Sequence, residues 1–296
     1  MAGEDSGHPL FRRFAAYEGW AEPGFERSYF GANFRDWLFT GEPKGLAGRQ
    51  VRIGFPPVSD EYFEWIALAG AVATAVERFR MCELGAGWGR WSVYAAMLCR
   101  QREIPFTLTA AEPEPAHFEW LKTVFRDNGI DPARHHLYEA AVAPRGGEVR
   151  LAGVDDPLHE YGHYVSTGIG GRLRERRGGH AARTVRAVTL RDLLQLEPAI
   201  DFIDMDVQGV EDELIESVDA GALDRVRIVH VGTHSRKIEA RLEQAFTQFG
   251  WLSVFAFPCY AESATPYGGV RFEDGAQTWV HPRHPELRDL LLGQRQ

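Results

Sequence analysis

The stretch Met81–Ser92, M-C-E-L-G-A-G-W-G-R-W-S, constrains the fold more than any other part of this chain. An acidic residue and a leucine run into Gly85, Gly87 and Gly89, then into a basic residue and a helical pattern. Glycine adopts the positive φ that a tight strand-to-helix turn needs, and it lets backbone N–H groups approach a ligand closely. A bare G-x-G-x-G recurs by chance, so its surroundings decide its weight. Glu112 follows about one βαβ unit later, and a second acidic strand end, Ile203-Asp204-Met205-Asp206, comes further on. That arrangement predicts an α/β domain that binds a nucleoside.

The rest of the pattern agrees. Apolar residues at Tyr62, Trp65, Ile66, Ala69 and Val72 predict a helix opened by Ser59. Strands are predicted at Arg80–Leu84, Thr107–Ala111, His136–Ala141, Phe202–Met205 and Val226–Val231, with helices between them. The last two strands, Trp251–Tyr260 and Gln277–Val280, have no helix between them and should pair antiparallel. The fold class expected is doubly wound α/β: a mainly parallel seven-stranded sheet with an antiparallel last strand, Rossmann-like. Ligands of such sheets lie outside the carboxyl ends of the strands, where Glu83, Glu112, Glu139, Asp206 and His234 fall.

An aromatic-rich segment precedes this domain. Leu10–Thr40 holds Phe11, Phe14, Tyr17, Trp20, Phe30, Phe34 and Trp37, some at helical spacing. It is read as a helical extension over 1–60, serving as a lid or an oligomer contact, with the catalytic domain over 61–296. The formal net charge of −9 argues against nucleic acid as the partner, because phosphate neutralisation needs a basic surface. The three cysteines, Cys82, Cys99 and Cys259, form no paired spacing and read as reduced, buried thiols. No apolar run is long enough to span a bilayer, and the polar N-terminus does not read as a signal peptide. A cytoplasmic protein is expected.

Three blocks resemble the class I S-adenosylmethionine methyltransferases, and within them the FkbM type. They are Cys82–Arg90, the turn Ala111-Glu112-Pro113-Glu114-Pro115, and Val188-Thr189-Leu190 with Asp201–Glu211. The last block, D-F-I-D-M-D-V-Q-G-V-E, is the most specific. It departs from the family pattern at Asp204, where lysine is common, and at Gln208, where glutamate is. The resemblance implies S-adenosylmethionine as cofactor and a hydroxyl of a secondary metabolite, glycan or glycolipid precursor as acceptor. An N-methyltransferase with the same site and a nucleotide-binding oxidoreductase are the alternatives.

The cofactor's chemistry then assigns roles. The turn Gly85, Ala86, Gly87 and Gly89, with Glu83, Arg90 and Trp91, should cradle the methionine end at a helix N-terminus. Glu112 and Pro113 should meet the ribose, and the small Ala140 and Ala141 should flank the adenine. Asp206 should lie near the methyl group, holding the cofactor amine or orienting substrate. His234, after the fifth strand, is the leading general-base candidate, and His163 in H-E-Y-G-H-Y is the second. A divalent metal is not favoured; if one binds, Asp206 and His234 would hold it.

Overall fold

Two small antiparallel pairs begin the chain, β1 (Tyr17–Ala21) with β4 (Arg49–Ile53) and β2 (Phe25–Arg27) with β3 (Asn33–Arg35). This computed structural model describes residues 7–41, 43–152, 164–166 and 182–294. The helix expected over Leu10–Thr40 does not form. Besides the strands, the segment holds the 3-10 turns Pro9–Arg13 and Tyr29–Gly31. Phe30 and Gly31 stand at φ 58° and 86°, and Gly24 at 81°, values that break a helix. The helical spacing of the aromatics came from packing on several sides at once. Phe30 lies against Trp65, and Phe34 against Trp88 and Tyr94. Burying each such ring stabilises by about 1.5–3 kcal/mol.

The segment is tied down by polar contacts as well. Asn33 N–H donates to Asn128 Oδ1 at 2.8 Å, and Asn128 Nδ2 donates back to the Asn33 carbonyl at 2.7 Å. Arg35 holds Asp127 through two bonds, at 2.7 and 3.2 Å. The region therefore shares one core with the domain it precedes.

The central sheet starts after helix α1 (Tyr62–Thr74). It takes β5 (Phe79–Leu84), then α2 (Arg90–Gln101), β6 (Phe106–Ala111), α3 (Pro115–Asp127) and β7 (His136–Tyr138). The single strand expected at His136–Ala141 is divided. β7 pairs with β6, whereas β8 (Ala141–Val142) joins a side sheet with β9 (Gly147–Ala152), β10 (Tyr164–Ser166) and β11 (Ala182–Val188). Thr189 then opens α4 (Leu190–Leu194) with a capping box, its hydroxyl accepting from Asp192 N–H while Asp192 accepts from Thr189 N–H.

β12 (Ile200–Met205), α5 (Glu211–Glu216), α6 (Ala220–Leu223), β13 (Val226–Thr233) and α7 (Arg236–Gln248) continue the alternation. β14 (Leu252–Phe257) closes one edge. The loop expected after it is a hairpin, β15 (Ala261–Thr265) with β16 (Gly268–Phe272), before β17 (Gly275–Val280) and α8 (Pro285–Leu291). The strand order is β14-β17-β13-β12-β5-β6-β7. β17 is antiparallel to both its neighbours, and the pairs from β13 through β7 are parallel. One apolar core on each face, the first from α1, α2 and α3, the second from α4, α5 and α7, makes the fold doubly wound, as expected. All three cysteines are buried and unpaired.

Candidate active site

The chain turns back across the sheet between β5 and β12, and the site opens there. Asp206 N–H donates to the Leu84 carbonyl at 2.9 Å, which locks the two strand ends together. Gly85 sits inside that joint. A Cβ on it would lie 1.8 Å from the Asp206 carbonyl oxygen, and its φ is 80°. Gly87, at φ 54°, has open space where a Cβ would go. Gly89, at φ 79°, instead lets α2 approach Leu121 and Phe125 of α3. Three glycines thus answer three needs: a strand joint, an open cradle and a helix contact.

A cavity of about 380 Å³ lies over this turn. Glu83, Gly85, Ala86, Gly87, Arg90, Trp91, Glu112, Pro113, Ala141 and Asp206 all line it. Gly89 and Ala140 are not on its wall; Ala140 is fully buried behind it. His234 faces an adjoining cavity of about 360 Å³. Gln208 and Asp274 line both, so the two spaces share a wall. His163 lies outside the described residues.

Glu112 is the hub of the glycine turn. Its Oε2 accepts from Gly87 N–H at 2.8 Å, and its Oε1 accepts from Glu114 N–H at 2.8 Å. A carboxylate has about four acceptor directions, so each oxygen keeps a lone pair for a ligand hydroxyl. Glu83 is differently engaged. Its two oxygens accept from Trp91 N–H at 3.2 Å and Ser92 N–H at 3.0 Å, capping α2 from below. Burial, reinforced by the Asp204 carboxylate, pushes the Glu83 pKa up to about 8, against those two bonds.

Register explains that neighbour. Glu83 on β5 is level with Asp204 on β12, which is level with His230 on β13 and, beyond it, Thr278 on β17. The result is a polar row across four strands beneath the cavity. Asp204 hydrogen-bonds Glu64 of α1; burial raises both carboxyl pKa values, Asp204 to about 7. Burial lowers His230 to about 3, and its neutral ring bonds Thr278 Oγ1 at 2.8 Å.

A second constellation stands at the ends of β12 and β13. His234 Nδ1 lies 2.7 Å from Oε1 of the fully buried Glu211, and Nε2 lies 3.2 Å from Asp206 Oδ1. Burial alone would lower the His234 pKa. The two carboxylates outweigh it and hold the value at about 10, so the ring is cationic at neutral pH in this state. A free general base is therefore not what His234 offers here; its ring is held between the two carboxylates.

Sequence reasoning missed several cavity residues: Asp60, Glu61, Glu64, Asp204, His117 and Asp274. Glu61 pairs with Arg90, whose guanidinium also covers Trp91 at 5.0 Å. Polar positions inside the apolar runs at Glu64 and Asp204 were the available signal. Asp274 carried none, since it reaches the site only because β17 runs back beside β13.

The sheet order, the glycine turn on β5 and the acidic end of β6 define a class I methyltransferase. The chain matches the model of the methyltransferase FkbM domain over residues 83–293, and it belongs to that family. It is a methyltransferase, and the oxidoreductase alternative falls. A candidate methyltransferase of Jannaschia sp. (strain CCS1) is 25% identical over 244 residues, 81% of this chain and 86% of that protein. Among solved structures, methyltransferase FkbM from Methylobacillus flagellatus KT is 11% identical with a TM-score of 0.43, covering 74% of this chain and 50% of that one. Precorrin-6y C5,15-methyltransferase from Geobacter metallireducens GS-15 is 10% identical, with a TM-score of 0.42, covering 74% and 87%. Among the described residues, no helix is long and apolar enough to cross a membrane.

Proposed function

We propose that this protein is a cytoplasmic S-adenosylmethionine-dependent O-methyltransferase acting on a hydroxyl of a small-molecule or glycan acceptor. The observation that carries the reading is the placement of Asp206. It lines the cofactor cavity beside Gly85 and also pairs with His234, which lines the cavity next door. The glycine turn would hold the methionine end, Glu112 the ribose hydroxyls, and Ala141 with Val142 the adenine edge. The acceptor would enter past Gln208 and Asp274.

The transfer is a single in-line displacement. Bound S-adenosylmethionine would supply an electrophilic methyl group: the acceptor oxygen would bond to the methyl carbon while the carbon–sulfur bond breaks and its electron pair stays on sulfur. The product is neutral S-adenosylhomocysteine. The hydroxyl proton would pass to Asp206, which pairs with His234 and, behind it, Glu211. The acidic wall at Asp60, Glu61 and Asp274 supports a second reading, N-methylation of an amine drawn in by those carboxylates.

Calorimetry with S-adenosylhomocysteine tests the cofactor assignment: binding is expected, and its absence from the folded protein would sink the proposal. Acceptor screening with labelled S-adenosylmethionine then separates the readings. Loss of turnover in Asp206→Asn supports the hydroxyl, which needs its proton removed; little change supports the amine.

A further inference from the structure

Asp206, Glu211 and His234 each present one potential ligand atom, and the three atoms lie within 4.8 Å of one another. Their order is informative. Glu211 is fully buried, and its Oε1 also accepts from Gly209 N–H at 2.9 Å. At 2.7 Å from Nδ1 it orients the imidazole ring. Nε2, on the opposite side of the ring, faces Asp206. It is buried, and it has no hydrogen-bond partner among the described residues. Asp206 Oδ1 is 3.2 Å away, near enough for an ion pair yet off the line a hydrogen bond requires.

A shared ion fits that spacing. Two ligands bonded to one metal at about 2.1 Å are separated by about 3.0–3.4 Å, between octahedral and tetrahedral geometry. A buried carboxylate behind the far nitrogen of a metal-bound histidine is the usual outer partner. The second oxygen of Glu211 is also buried and without a hydrogen bond among the described residues. On the open side Asp274 Oδ1 lies 3.7 Å from Nε2, on a half-exposed side chain.

We propose that Asp206 and His234 bind a divalent first-row transition-metal ion, with Glu211 setting the ring and Asp274 closing from the cavity side. One imidazole among carboxylates favours manganese, iron or zinc over magnesium. The ion would sit on the wall between the two cavities, where an acceptor oxygen can reach it. The metal site stands whether the acceptor is a hydroxyl or an amine.

The test uses the full chain after chelator dialysis, titrated with manganese chloride and followed by electron paramagnetic resonance. One equivalent should bind, and electron spin echo modulation should show coupling to an imidazole nitrogen. Asp206→Asn and His234→Asn should each weaken binding at least tenfold, and Glu211→Gln by roughly 10–100-fold. Equal magnesium should not displace the ion. An undiminished free-manganese signal at near-millimolar protein, or binding without nitrogen coupling, would overturn the site. So would affinity unchanged in both ligand variants. The nitrogen coupling is read on the wild-type protein, so the proposal stays exposed even if a variant fails to fold.

Discussion

The two ends of the cleft are built on opposite terms. At the β5–β6 end every carboxylate is committed within the fold: Glu112 binds Gly87 and Glu114, and Glu83 binds Trp91 and Ser92. At the β12–β13 end the carboxylates crowd a histidine whose Nε2 has no hydrogen bond among the described residues. Satisfied groups make a rigid mould, suited to a ligand that is always the same. Unsatisfied ones store interaction for a partner that arrives later. Under the proposed function the first end would take the cofactor and the second the acceptor.

The largest effect should come where the two ends are laced together. Gly85→Ala puts a Cβ on the Asp206 carbonyl at a positive φ. It should cost about 4 kcal/mol or more, read by urea denaturation, and abolish S-adenosylhomocysteine binding. A variant that kept both would mean the joint does not organise either end.

The next two experiments pull the ends apart. His234→Ala should lower turnover about 10²–10⁴-fold while leaving cofactor affinity nearly unchanged. Glu112→Ala should do the reverse: it removes charge-assisted bonds worth roughly 1.5–3 kcal/mol each and should weaken cofactor binding by tenfold or more. Equal effects of either substitution on both readouts would erase the distinction between the ends.

The smallest effect concerns pH. The Glu83 carboxyl, at about 8 against an ordinary 4.5, binds a proton more tightly in the folded chain than in the unfolded one. Its contribution to stability is complete below about pH 4.5 and is lost as pH rises through about 8. The melting temperature of the ligand-free protein should carry that downward slope. Glu83→Gln should flatten it, at the expense of one of the two bonds to α2. An unchanged slope would move the effect to Glu64 and Asp204.

Much of the β5–β6 end was legible because its information is local. The glycine turn, Glu83 and the cap of α2 lie within ten residues of one another, and strand alternation places Glu112 beside them. The aromatic segment misled for the same reason. Clustered rings mimic helical spacing, yet Phe30 and Phe34 pack against α1 and α2 from a bent backbone. His234 and Asp206 were each identified, but nothing in their spacing showed that Glu211 would fix the ring.

By itself the sequence determined the alternation of strands and helices, hence a doubly wound sheet, and with it the carboxyl ends where a site must lie. Those follow from period, turn chemistry and handedness, which act over a few residues. Tertiary structure alone decided the register that lines up Glu83, Asp204, His230 and Thr278, and the antiparallel return of β17 that brings Asp274 to the cavity. It also decided the ionisation of these groups. Burial and neighbouring charge set that, and both depend on which distant strands meet.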